Sequence, residues 1–309
     1  MVTPQDVREA AAGLVGVAVR TPLRYVEPLD AYLKLESLQP VGAFKLRGAY
    51  TAIRRMPDDV RRNGVITYSS GNHGQAVAYA AQLVGVRAVV VMPETAPAVK
   101  VAGVERWGGE VVLAGRTSED RHRKAEEIAA RERLAVVPPF DHPDIVAGQA
   151  TVGLEIAEAL PEARTVVVPV GGGGLIAGVV TGLAAAGSGA TVWGVEPAGA
   201  PKLKQSLAAG HPVRLERTAS IADGLITLTV GAIPFAQLAA HRERLAGVAL
   251  VEDDALSEAV HFLWRTCHLA VEPSGAATTA ALRSGAVRPV PPTVLVVSGG
   301  NVDRSVLED

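Results

Sequence analysis

The run from Val166 to Ala177, VVVPVGGGGLIA, constrains this chain more than any other stretch. β-Branched residues lead into four consecutive glycines, and an apolar helical pattern follows. A buried strand that turns through glycine into a helix leaves backbone N–H groups without intrahelical partners, at an end where the helix dipole favours an anion. Gly171, Gly172, Gly173 and Gly174 carry no Cβ, so the backbone can take positive φ values and close on a phosphate with several amides. A flexible linker would not be bracketed by core segments. A Walker loop needs Gly-Lys-Ser/Thr after the glycines, which is absent here. Glu196, beyond the next apolar run, keeps a dinucleotide-binding turn open as an alternative. A phosphorylated ligand is expected at this cup.

The 309 residues, 48% hydrophobic and 20% charged, suffice for one or two domains around a large core. A net charge of −2 with dispersed Lys and Arg provides no field to hold nucleic acid or an anionic membrane. Apolar stretches break well before the roughly 18 residues of a membrane span. The N-terminal MVTPQDVREA lacks the basic start and apolar core of a secretory signal, so a cytoplasmic protein is expected. The lone cysteine, Cys267 in FLWRTCHL, reads as a core residue in a reducing compartment. The histidines lack zinc-site spacing, and no metal is assigned to them.

Along the chain, Thr3, Pro4 and Asp6 predict a capped helix running to about Val19, and AYLKLES predicts a strand. A helix begins near Lys45. Strand-loop-helix units then recur: VITYS, AVVVMP and EVVLAG each precede a helical pattern. The alternation continues through the cup, TVWGVEP, GVALVED and PTVLVVSGG, which predicts α/β architecture with parallel sheets wound by helices. The last strand lies close to the final residue, so no appended regulatory domain is expected.

Ligands of open α/β sheets bind at the carboxyl ends of strands. Such ends here include Ser69-Ser70-Gly71-Asn72-His73, the cup at 171–174, and Ser298-Gly299-Gly300-Asn301. With Lys45 at a loop-to-helix junction, they suggest a small anionic cofactor and an amine that reacts with it.

The blocks VGAFKLRGA (41–49), SSGNHGQAVAYAA (69–81), PVGGGGLIAG (169–178), VEP (195–197), IADG (221–224), VEPSGA (271–276) and VSGGN (297–301) occur in that order. Together they resemble the fold type II pyridoxal-phosphate enzymes (tryptophan synthase β-like), in the branch of threonine/serine dehydratases and serine racemase. The resemblance implies a two-domain α/β protein with doubly wound, mostly parallel sheets. Residues 1–48 and 142–309 would form a large domain and 49–141 a small one, with pyridoxal 5'-phosphate in the cleft and a homodimeric assembly.

Residue by residue, it implies that Lys45 is the Schiff-base lysine and Phe44 packs on the cofactor ring. Asn72 would bond the phenolic oxygen, Gly171 to Gly174 with Leu175 would hold the phosphate, Gly224 would lie beside the cofactor, and Ser298 would face the pyridine nitrogen. Ser69, Asn72 and His73 would hold the substrate carboxylate. Ser70 matches the opposite-face acid/base of serine racemase, a position where several dehydratases also carry Ser. Glu272 falls in a matching block without an assigned role. An alcohol facing the pyridine nitrogen leaves the ring a modest electron sink, which suits prompt loss of a β-hydroxyl. The implied reaction is α,β-elimination: Lys45 takes the Cα proton of a 3-hydroxy amino acid, the hydroxyl leaves, and hydrolysis gives a 2-oxo acid and ammonia. Serine racemase and 3-hydroxyaspartate ammonia-lyase are the enzymatic alternatives, and a non-catalytic phosphate-ligand binder is the alternative of another class.

The sequence also departs from the pattern. Ala43 stands where the family usually has Ser, and Phe140-Asp141 has the dehydratase form. Arg121, in a region where racemases carry a substrate-facing Arg, reads as a solvated helix charge. Relatives with a divalent metal near the phosphate loop take ligands from Glu-Pro-x-x-Ala-Asp-Asp, whereas here the block runs from Glu196 to Lys202. The expectation is that the Lys202 ammonium stands at the metal position, pairs with Glu196, and makes the fold independent of Mg²⁺ or Ca²⁺.

Overall fold

A computed structural model describes residues 1–69, 71–96 and 98–308, without the side chains of Val99, Ser118 and Glu308. Ser70, the expected acid/base, lies outside the described residues. The strands are β1 (Leu23–Val26), β2 (Ala31–Leu35), β3 (Val65–Tyr68), β4 (Ala88–Met92), β5 (Glu110–Leu113), β6 (Ala135–Val136), β7 (Thr165–Pro169), β8 (Thr191–Pro197), β9 (Leu245–Val251) and β10 (Thr293–Val297). The helices are α1 (Pro4–Leu14), α2 (Lys45–Arg55), α3 (Asp58–Arg61), α4 (Asn72–Val84), α5 (Ala98–Glu105), α6 (Ser118–Glu132), α7 (Pro143–Ala159), α8 (Gly174–Ala185), α9 (Lys202–Ala209), α10 (Ala232–Ala240), α11 (Asp253–Arg265), α12 (Pro273–Arg283) and α13 (Ser305–Glu308).

Two sheets result. One has six strands in the order β1-β2-β10-β7-β8-β9, and the other four in the order β5-β4-β3-β6. β1 and β2 pair antiparallel, while the other named pairs are parallel. Side chains alternate across a strand, so a strand covered on both faces must be apolar at every position. β10 obeys this rule: Val294 and Val296 join the core beneath α7 and α8, while Leu295 and Val297 join the core beneath α11 and α12. In the smaller sheet, Val89 and Val91 pack with Ala125 and Ile128 of α6, while Val90 and Met92 pack with Val104 of α5. The winding is therefore double in both sheets.

Local departures from the expectation have local causes. The capping box of Thr3 and Asp6 forms, but α1 ends at Leu14 because Val15 is extended and Gly16 takes a φ of +77°. The short edge strand β1 and the two-residue β6 carry too little periodicity to be read from sequence. In α10, Pro234 sits in the first turn of an otherwise apolar run and obscures the helical pattern. Cys267 is buried in the core under α11, as its setting suggested.

A buried charge cluster fixes α2. Arg47 forks onto Glu36 through Nε (2.8 Å) and Nη2 (2.8 Å), and onto Glu155 through Nη1 (2.6 Å) and Nη2 (2.8 Å). Lys34 completes the set at 2.6 Å from Glu155, so two cations balance two carboxylates. Burial alone would lower the Arg47 pKa, but the two carboxylates raise it above its ordinary value. Arg47 is 1% exposed and Glu36 0%, so their pairing is what makes burial tolerable. This cluster holds the first turn of α2, and Lys45 with it, between β2 and α7.

Candidate active site

Lys45 enters the site because its segment is stitched to the end of β10. Phe44 N donates to Ser298 O at 3.1 Å, and Ala43 forms an antiparallel bridge with Gly299. The Lys45 Nζ lies 5.3 Å from the Phe44 ring centroid and donates to Pro139 O at 2.8 Å. Burial pushes its pKa down to about 8, against the opposing pull of Glu272. A partly buried amine of this affinity is neutral in a useful fraction near neutral pH and can act as nucleophile or base.

The glycine cup has the form the sequence called for. Gly173 takes a φ of +90° as the N-cap of α8. Among the described residues, no N–H of Gly171, Gly172 or Gly173 donates to a protein acceptor, and the first turn of α8 adds further free donors. Phe140 lies over the cup: a Cβ added to Gly172 would clash with its ring atoms. Asp141 pins that segment by accepting from Ala232 N (3.1 Å) and Ile233 N (2.8 Å) at the start of α10. On the far side, a Cβ on Gly171 would meet Gly224 O at 2.6 Å, so the cup and the Gly224 segment touch through backbone alone.

Asn72 stands at the start of α4 with its amide orientation fixed by counting hydrogens. Asn301 Nδ2 donates to Val41 O (2.8 Å) and to Asn72 Oδ1 (2.8 Å). Asn72 Nδ2 is thus the donor to Glu272 Oε1 at 2.6 Å, and one N–H remains for another acceptor. Glu272 is 6% exposed, and burial, with Asp223 adding, pushes its pKa up to about 8. The sequence assigns no role to Glu272 or Asn301; the signals it offers are the Glu in second place of VEPSGA and the Asn ending VSGGN.

His73 is buried, with Nε2 3.1 Å from Val137 O; a carbonyl only accepts, so Nε2 carries a proton. Burial, helped by Lys45, pushes its pKa down to about 3. It braces the segment that runs from β6 to Phe140. Ser69 Oγ accepts from Gly71 N at 3.2 Å, which shapes the loop ahead of Asn72. Gly224 N donates to Ser274 Oγ at 2.9 Å, Ser298 is 4% exposed at the end of β10, and Leu175 is buried in the first turn of α8. Lys100 of α5 pairs with Asp223, joining the smaller sheet's helix to the segment before Gly224. Arg121 is half-buried, and burial lowers its pKa; the solvated reading is corrected, because α6 turns this position inward.

Lys202 is 0% exposed and pairs with Glu196 at 3.1 Å, as its place in the Glu196 block suggested. EDTA and added Mg²⁺ are expected to leave activity and melting temperature unchanged, because an ammonium already neutralises the carboxylate. A clear loss with chelator, restored by metal, would refute this.

A family model described as pyridoxal-phosphate dependent enzyme matches residues 16–299. The L-threonine ammonia-lyase of Thermotoga maritima is 35% identical over 100% of this chain and 78% of its own. The L-threo-3-hydroxyaspartate ammonia-lyase of Saccharomyces cerevisiae is 38% identical over 88% of this chain and 83% of its own. The structure of maize serine racemase superposes with a TM-score of 0.92 at 34% identity, covering 99% of this chain and 95% of that one.

Proposed function

Because the chain belongs to the pyridoxal-phosphate dependent enzyme family, we propose that it is a lyase converting L-threonine, L-serine or a related 3-hydroxy amino acid to a 2-oxo acid and ammonia. The observation that carries this reading is the partly buried Lys45 amine, held at Pro139 O beside the Phe140 that lies over the unsatisfied glycine cup. A pure phosphate binder has no use for such an amine.

The residues fit the cofactor. The free N–H groups of Gly171 to Gly174 and Leu175 would take its phosphate, the remaining Asn72 N–H its ring oxygen, and the Ser298 hydroxyl its ring nitrogen. When bound, it supplies a sink for the electron pair left at the substrate Cα. Lys45 would bind it covalently, and on release take the Cα proton as a neutral amine. The loop of Ser69, Asn72 and His73 would orient the substrate carboxylate. Loss of the Cα proton and β-hydroxyl releases one water; hydrolysis consumes one water, leaving the 2-oxo acid and ammonia. Support for elimination over racemisation comes from the dehydratase-like form of Phe140-Asp141 and from the alcohol at Ser298, which leaves the ring a modest electron sink.

The division into 1–48 with 142–309 and 49–141, the homodimer and the cytoplasmic setting belong to the same proposal. The separate four-stranded sheet between residues 65 and 136 supports the first. Among the described residues, no helix is long and apolar enough to cross a membrane. With L-serine as substrate, pyruvate is expected to form faster than D-serine, and a panel of threonine, serine and 3-hydroxyaspartate assayed for oxo acid identifies the preferred side chain. Faster D-serine formation would make the protein a racemase.

A further inference from the structure

The Lys202 ammonium sits in a cage of protein oxygens. Its Nζ is 3.0 Å from Val170 O, 3.1 Å from Glu196 Oε1, 3.1 Å from Ala200 O and 2.8 Å from Leu225 O. An ammonium has three protons and here meets four acceptors, so the arrangement is a cation's coordination shell more than a set of paired hydrogen bonds. Lys202 and Glu196 are both 0% exposed. Burial lowers the Lys202 pKa while Glu196 opposes that shift. Glu196 is itself held by Leu203 N (2.8 Å) and Lys204 N (3.0 Å) at the start of α9.

The cage joins segments of the site. Val170 immediately precedes the cup, and Leu225 immediately follows Gly224, whose carbonyl touches the cup at Gly171. Without a positive charge, the converging carbonyls would repel one another and leave a buried carboxylate uncompensated. The observed contacts of 2.8–3.1 Å exceed the about 2.0–2.1 Å of Mg²⁺ and the about 2.3–2.6 Å of Ca²⁺. They are the contacts of an ammonium.

We propose that Lys202 is a tethered monovalent cation whose charge fixes the phosphate cup against the Gly224 segment, and that its removal leaves a site for free ammonium. Lys202 is thus a positioning residue for phosphate binding. The inference rests on the reading of the cup as a phosphate site, and inorganic phosphate serves as an independent probe of that reading.

The test compares holoenzymes carrying Lys202→Ala and Lys202→Met with the parent, in ammonium, sodium and magnesium chlorides at matched ionic strength. The readouts are affinity for pyridoxal phosphate, inhibition of its binding by inorganic phosphate, and melting temperature. Lys202→Ala is expected to lose about tenfold or more in cofactor affinity, a factor equivalent to about 1.4 kcal/mol. Ammonium should restore both affinity and melting temperature, magnesium should not, and the parent should respond to neither. Lys202→Met, which fills the cage with an uncharged chain, should be as weak as Lys202→Ala and refractory to ammonium. Wild-type affinity in Lys202→Met overturns the proposal. So does a folded Lys202→Ala that ammonium fails to rescue, or a Lys202→Ala that folds in no salt, since the tether would then be indispensable. A parent that binds neither probe would instead overturn the reading of the cup.

Discussion

Replacing Arg47 with Met is expected to destabilise the protein by about 3–5 kcal/mol, read as a large fall in melting temperature. The guanidinium is the shared partner of Glu36 and Glu155, and its loss leaves two carboxylates competing for Lys34 in a site with little access to water. Glu36 is 0% exposed, so solvent cannot compensate. Removing charge from both sides at once, as in Arg47→Met with Glu36→Gln, should cost less than the sum of the single changes, because the second change relieves the charge stranded by the first. A single Arg47→Met within about 1 kcal/mol of the parent would assign the cluster the small value of a surface pair instead. Arg47 lies next but one to Lys45, so any Arg47 variant that still folds also reports how much the cluster contributes to aiming the amine.

The features legible in the sequence are those that act through backbone or through neighbours in the chain. Four glycines between two apolar runs can do little except turn closely, and the cup has that form, down to the positive φ at Gly173. Strands β3, β4, β7 and β10 are mostly apolar runs because helices cover both faces, and such runs stand out from the amphipathic helices between them. Lys45 was legible only through the order of the surrounding blocks; alone, a lysine at a helix start says nothing. Side-chain networks between distant residues left no such trace. Lys34, Glu36, Arg47 and Glu155 each read as an ordinary charge until the fold brings β2, α2 and α7 together. The chain from Asn301 through Asn72 to Glu272 joins three segments far apart in sequence, and its logic lies in hydrogen counting that needs coordinates. Arg121 was misread because the charged pattern of α6 suggests full solvation, whereas packing turns that position inward. Lys202 could be paired with Glu196 from sequence, but the three carbonyls around it could not be seen.

Lys45→Ala is expected to leave a folded protein without the visible absorption of a cofactor joined to lysine, and with turnover lowered by about 10²–10⁴-fold from loss of the base alone. Loss of covalent attachment adds to that figure. In the parent, uptake of pyridoxal phosphate by the cofactor-free protein should quicken as pH rises through about 8, because burial has lowered the Lys45 pKa and only the neutral amine attacks a carbonyl. Retention of both the absorption and full turnover in Lys45→Ala would remove this residue from the chemistry.

The most direct measurement is where the cofactor attaches. Reduction of the loaded protein with borohydride, followed by peptide mass mapping, should find a single pyridoxyl phosphate on Lys45 in the segment GAFKLRGA. A label on Lys34, Lys100 or Lys202, or no label on any lysine, would contradict the account.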